Sequence, residues 1–179
     1  EYSEALKRSF QNSGFTFKNL ENTDALEYAD KYNIFLGRDA QIYDLLVNIK
    51  NIFVESSKLF AIDYQEGRYY IHGWVDKYHG ENNEVSLDNL IWDDASFNSP
   101  IFSGFLAIDT EPSTDHYLID GVYSEVENKD GTIYLFNGSR HAHGKWNQER
   151  PKIVIAFNIV SYAQLNENEA ERNMYLPLV

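Results

Sequence analysis

The chain has 179 residues, of which 43% are hydrophobic and 15% aromatic, enough apolar material to bury a core within one domain and too much for a disordered segment. Its 28 acidic residues outnumber the 15 lysines and arginines, for a formal net charge of −13, and a surface of that sign repels phosphate backbones and anionic bilayers, so neither nucleic acid nor membrane is an expected partner. The lack of cysteine excludes disulfides and thiolate metal sites and does not choose a compartment; with no apolar run near the roughly 20 residues that span a bilayer, the expectation is a soluble protein, in the cytoplasm or within a particle such as a virion.

Residues 1–60 read as a helical support layer. Tyr2 to Phe10 forms one short helix closed by Asn12-Ser13-Gly14, and Ala25 to Tyr32 a second, preceded by the cap-type residues Asn22-Thr23-Asp24. The clearest helix is Asp39 to Phe60, where Ile42, Leu45, Leu46, Ile49, Ile52 and Phe53 recur at the spacing of one face. Beyond it the pattern turns to β. Phe60 to Tyr64, Arg68 to Tyr78, Ser103 to Ile108, His116 to Glu125, Thr132 to Phe136 and Ile153 to Ser161 are candidate strands between clusters of Gly, Pro, Asn and Asp. Glu81 to Glu84 and Thr110 to Asp115 read as polar loops, and Gln164 to Arg172 as a charged tail with a short helix. The expectation is a single α+β domain over 1–179, with helical support over 1–60, a sandwich- or barrel-like β core over 61–161 and a tail over 162–179.

The most informative stretch is Gly131 to Ser161. Thr132 to Phe136 is a β-type run closed by the turn dipeptide Asn137-Gly138. His141 and His143 follow in a polar connection. Lys152 to Val160 then carries the strongest strand signal, with Ile153, Ile155 and Phe157 on one face and Lys152, Val154, Ala156 and Asn158 on the other. A strand, a turn, a histidine and a basic residue opening an apolar strand that ends in Phe157-Asn158-Ile159 resembles the second half of the 2-oxoglutarate and Fe(II)-dependent oxygenases, particularly their prolyl-hydroxylase-like branch. Tyr69-Tyr70-Ile71-His72-Gly73-Trp74-Val75 is similar to an earlier core strand of that family, and Ser103 to Ile108 to its Ser-Gly strand, so the resemblance covers Leu59 to Ser161. It implies a double-stranded β-helix, or jelly roll. It also implies Fe(II) as the metal, with His143 as a ligand and His141 as the alternative, and 2-oxoglutarate as the co-substrate. Lys152 would stand where the family's basic residue binds the distal carboxylate, with Arg150 as a second candidate.

The same resemblance exposes a departure. The family's remaining pair of ligands, His-x-Asp or in some branches His-x-His, would fall within Leu87 to Asp94, which contains no histidine. If Asp94 is the acid, Trp92 stands in the histidine's place; if the motif falls at Asn89 and Ile91, both ligands are gone. Asp93 or Asp94 with His143 would make a two-ligand site unless His72, His79 or His116 completes it. His72 and His116 lie in strands, where a hydrogen-bonded or surface role is the readier reading, and His79 borders a turn. Lys152 supplies a point charge where arginine would supply a bidentate fork. Serine-hydrolase, Walker, dinucleotide and His-Glu-x-x-His motifs are absent. Two readings follow. One is an oxygenase-like jelly roll with an altered or lost metal site, kept as a structural or protein-binding module in a viral or other assembly. The other is an active hydroxylase of a peptide or small molecule, with Asp94 and His143 on the metal and Lys152 on the co-substrate.

Overall fold

A computed structural model of the chain describes residues 33–37, 40–78, 100–119, 122–137, 141–146, 152–167 and 174–178. The helices expected at Tyr2 to Phe10 and Ala25 to Tyr32, and the loop expected at Glu81 to Glu84, lie outside them.

Helix α1 (Ala40–Leu59) realises the strongest helical periodicity, burying Ile42, Leu45, Ile49, Phe53 and Ser57 along one stripe. It ends where Ala61 adopts φ 54. The Ile62 N–H then reaches back to the Ser57 carbonyl at 2.9 Å, the six-to-one bond of a Schellman cap. This cap overturns the strand expected at Phe60 to Tyr64. The alternating apolar residues there act as a lid over the core instead of pairing: the Phe60 ring packs edge-on against Phe102 at 5.3 Å, and Tyr64 stacks on Tyr69 at 5.7 Å.

Among the described residues eight strands follow: β1 (Tyr69–Tyr78), β2 (Phe102–Asp109), β3 (Ser113–Ile119), β4 (Val122–Glu127), β5 (Ile133–Asn137), β6 (His141–Trp146), β7 (Lys152–Ser161) and β8 (Leu176–Pro177), with helix α2 (Tyr162–Glu167) between the last two. They form two antiparallel sheets, a five-stranded one in the order β5-β2-β7-β1-β8 and a three-stranded one in the order β4-β3-β6. From β2 to β7 the chain passes repeatedly between the sheets, the β3–β4 hairpin being the one step that stays within a sheet. Among the described residues this is a mostly antiparallel β-sandwich with few helices.

Three expectations are corrected here. The strand expected over His116 to Glu125 is two, with Ile119 opposite Val122 in an antiparallel pair; the sequence between them, Asp120-Gly121, is a hairpin-type dipeptide that the apolar alternation around it obscured. The loop expected over Thr110 to Asp115 gives way to strand at Ser113, because the polar residues Ser113 and Asp115 point into the protein and not into water. The polar connection expected to hold His141 and His143 is itself strand β6.

The large sheet is buried on both faces. On one, Ile71, Val75, Leu106, Ile155, Phe157 and Ile159 pack under α1. On the other, Phe105, Ala107 and Val154 meet Tyr117, with Val126, Tyr134 and Phe136 packed against them. Strand β7, hydrogen-bonded to β1 on one side and β2 on the other, is the spine of this arrangement. Gly104 on β2 is required by close approach, since a Cβ there would lie 2.4 Å from the Tyr134 carbonyl oxygen and 2.5 Å from the Phe157 ring. Among the described residues no helix is long and apolar enough to cross a membrane.

Where the short strand β8 stops, the outer side of β1 is held by Asn33, which is 1% exposed. Its Nδ2 donates to the carbonyls of Ile71 (3.0 Å) and Met174 (2.7 Å), and its Oδ1 accepts from the N–H groups of Phe35 (3.1 Å) and Gly73 (3.2 Å). One side chain thereby joins a short 3-10 turn (Ile34–Leu36), β1 and the segment leading to β8. Asn33→Ala strands buried backbone groups on all three and is expected to cost about 2–4 kcal/mol in urea unfolding. Conversely, Ala61→Gly relieves a left-handed non-glycine residue at the α1 cap and is expected to gain about 0.5–1 kcal/mol in the same measurement.

Candidate functional site

Strand β7 begins with a lysine on its inward face. Alternation from Lys152 through Val154, Ala156 and Asn158 puts these residues on the side that faces the small sheet, and Lys152 is only 2% exposed. On the opposing strand β3 the same alternation turns Ser113, Asp115 and Tyr117 inward, while His116 on the other face is half-buried.

The two strands meet through charge. Lys152 Nζ donates to Asp115 Oδ1 at 2.6 Å, with both side chains essentially removed from water. The other oxygen of the same carboxylate, Oδ2, accepts from Asn128 Nδ2 at 3.0 Å, and that amide also donates to Ser113 Oγ at 2.8 Å. Asn128, just beyond β4, is positioned by its own N–H, which donates to the Ser113 carbonyl at 2.9 Å. The Asp115 carboxylate therefore has at least one donor on each oxygen, cationic on Oδ1 and neutral on Oδ2. Aromatic rings wall this interior: Phe105 lies 5.8 Å from the Lys152 ammonium and stacks on Tyr134 at 4.9 Å, and Tyr117 stacks on Tyr134 at 6.2 Å.

Burial pulls the Lys152 ammonium below the ordinary lysine range, and the charge and hydrogen bond of Asp115 oppose that pull. The phenol of Tyr117 is pushed up, first by burial, then by the Asp115 charge and Tyr134.

Of the residues singled out from sequence, Lys152 is thus placed in the interior, bonded to Asp115. Asp94, Asp93, Arg150 and His79 lie outside the described residues. The backbone of β6 sets His143 directly opposite Asp115 and His141 opposite Tyr117 in the ladder with β3; the side chains of both histidines lie outside the described part. His72 is buried on β1 between the rings of Trp74 (5.4 Å) and Tyr175 (5.3 Å). Its register partner on β7, Asn158, accepts a hydrogen bond from Ser103 Oγ at 2.8 Å. Among the described residues no three or more His, Asp or Glu side chains are grouped to hold a metal ion.

Asp115 and Asn128 are the site residues that sequence reasoning missed. The available signal was the alternation of Ser113, Asp115 and Tyr117 continuing an apolar strand backward into polar residues.

The arrangement also bears on 2-oxoglutarate. An anionic carboxylate brought to Lys152 would meet the Asp115 carboxylate already seated on the ammonium, so the described residues do not fit that co-substrate at this position.

No protein-family model matches the sequence, and no curated protein matches it. The fold does have a solved counterpart. A crystal structure of a Pseudomonas putida prolyl-4-hydroxylase superposes with a TM-score of 0.53 at 14% identity, over 89% of this chain and 86% of that one. At that identity the likeness is one of fold alone, and it agrees with the mostly antiparallel β-sandwich described above.

The raised Tyr117 phenol carries a pH dependence. Above its ordinary value of 10.0 the unfolded chain releases this proton while the folded chain keeps it, so stability falls as pH rises. Tyr117→Phe removes that difference. The stability of the wild type relative to Tyr117→Phe is expected to drop by about 1.4 kcal/mol per pH unit above pH ~10 in urea titrations; parallel curves would show that the phenol ionises equally in both states.

Proposed function

We propose that this chain is a jelly roll of the 2-oxoglutarate oxygenase type, a double-stranded β-helix, in which an internal ion pair has taken over the co-substrate anchor. In this reading it serves as a structural or protein-binding module. The observation that carries the proposal is the buried bond from Lys152 Nζ to Asp115 Oδ1. The strand order, the repeated passage between sheets and the likeness to a prolyl-4-hydroxylase across most of both chains support the architecture. Likeness of fold does not bring activity with it.

The basic residue at the entrance of β7 is where the resemblance would place the distal carboxylate of 2-oxoglutarate. Here that charge is already matched by a carboxylate of the protein, held by a second donor from Asn128. An active hydroxylase would need Lys152 turned away from Asp115 in the resting protein, and a buried ammonium separated from its counterion is costly. A scaffold role makes no such demand. The net charge of −13 favours partners with a basic face, through faster encounter and rejection of acidic competitors.

Anaerobic calorimetry of the full chain tests the proposal, with 2-oxoglutarate titrated in the presence and absence of Mn(II) as a redox-inert stand-in for Fe(II). The expected result is no saturable 2-oxoglutarate binding up to millimolar concentration, with or without the metal. Saturable, Mn(II)-dependent binding of 2-oxoglutarate to the wild type would overturn it and restore the hydroxylase reading.

A further inference from the structure

A carboxylate held by a donor on each oxygen, inside a protein and away from water, is geometrically the same object as a bound carboxylate ligand. We propose that Lys152 and Asn128 form a receptor for small carboxylates whose present occupant is the protein's own Asp115, and that this receptor binds a free carboxylate ion once the Asp115 carboxylate is removed. The inference rests on the reading above for the idea that the anchor is filled from within.

Three features carry it. The donors do not belong to the strand that supplies the acid: Lys152 comes from β7 in the large sheet, and Asn128 from the connection after β4. Each donor is fixed by contacts that do not involve Asp115. Lys152 sits at the start of a strand paired on both sides, next to the Phe105 ring, and Asn128 is tied through both its N–H and its side-chain amide to Ser113. The receptor is therefore preorganised, and preorganised donors retain affinity for a detached ligand because little ordering remains to be done on binding. Finally, the atoms lost in Asp115→Ala are the carboxyl carbon and its two oxygens, which together make one formate ion. The space left matches that ligand in size, charge and hydrogen-bonding pattern. Acetate carries an extra methyl group, which the Cβ retained in Asp115→Ala would crowd.

The test is chemical rescue of Asp115→Ala, read by thermal and urea unfolding in sodium formate, sodium acetate and sodium chloride at equal ionic strength. Formate is expected to raise the Tm of Asp115→Ala by about 4–7 °C at a concentration about 20 times its Kd, more than acetate, while chloride does not. Wild type, whose receptor is filled, is expected to show the same Tm in all three salts. Asp115→Leu/Lys152→Met, which replaces the pair by apolar side chains, is expected to fold and to show no formate effect. If Asp115→Ala does not fold alone, refolding from urea is scored instead, and recovery confined to formate is the expected result. Equal stabilisation by formate and chloride, a formate shift of the same size in the double variant, or no response of Asp115→Ala in any salt would each overturn the receptor.

The two proposals fail separately. Binding of 2-oxoglutarate to the wild type refutes the filled anchor, whereas absence of formate rescue in Asp115→Ala, with a wild type that ignores 2-oxoglutarate, refutes only the receptor.

Discussion

The contact between Lys152 on β7 and Asp115 on β3 joins two strands that belong to different sheets, and it does so where both are sealed from water. Burying either charge alone would cost several kcal/mol after relaxation. The two sheets must therefore approach closely enough, and in the right register, for each charge to be matched. Removing one partner of such a pair typically costs about 3–5 kcal/mol, whereas replacing both by apolar side chains is often neutral or stabilising. The pair thus adds little net stability and restricts which arrangements of the strands are tolerable.

Register shows how sharp that restriction is. A slip of β7 by one residue against β1 and β2 would exchange its faces. Lys152 would then move to the face that carries Ile153 and Ile155, at the end of the layer under α1 next to Val75, and an isoleucine would take its place before Asp115. The Asp115 carboxylate, which is fully buried, would lose its ammonium in a dry environment. The apolar alternation of β7 is less discriminating by itself, because both faces of this central strand are buried. Here the polar residue carries register information that the hydrophobic ones do not.

That division explains what was legible in the sequence. Helix α1 was readable because one face is apolar and the other is not, and β1, β2, β5 and β7 because their β-rich runs are bounded by turn residues. Phe60 to Tyr64 looked like a strand because Phe60, Ile62 and Tyr64 alternate, yet Ala61 in the left-handed region makes the segment a helix cap that folds over Phe102 and Tyr69. Lys152 was identified as the residue opening the β7 face, and its partner was not. Asp115 was assigned to a loop because Ser, Thr and Asp are usual in loops, a correlation that fails wherever a polar side chain has a buried counterion to meet. No local pattern reveals that counterion 37 positions away, since the pairing depends on how two sheets close. Strand β6 was hidden in the same way, by a polar composition that reads as a connection until β3 is placed beside it.

The fold and the chemistry therefore depend on different parts of the chain and can change independently. Packing of the large sheet under α1 rests on aliphatic and aromatic residues spread over many positions, each contributing its buried area. An anion anchor rests on one ammonium and whatever carboxylate reaches it. A carboxylate supplied from β3 satisfies Lys152 electrostatically as an outside ligand would, and it does so without the translational entropy lost when a free ion binds. An internal acid at this position consequently competes with any external anion at a very high effective concentration, while leaving the β-sandwich around it unchanged. On the reading proposed above, a single side chain on a facing strand is enough to fill such an anchor while the fold persists.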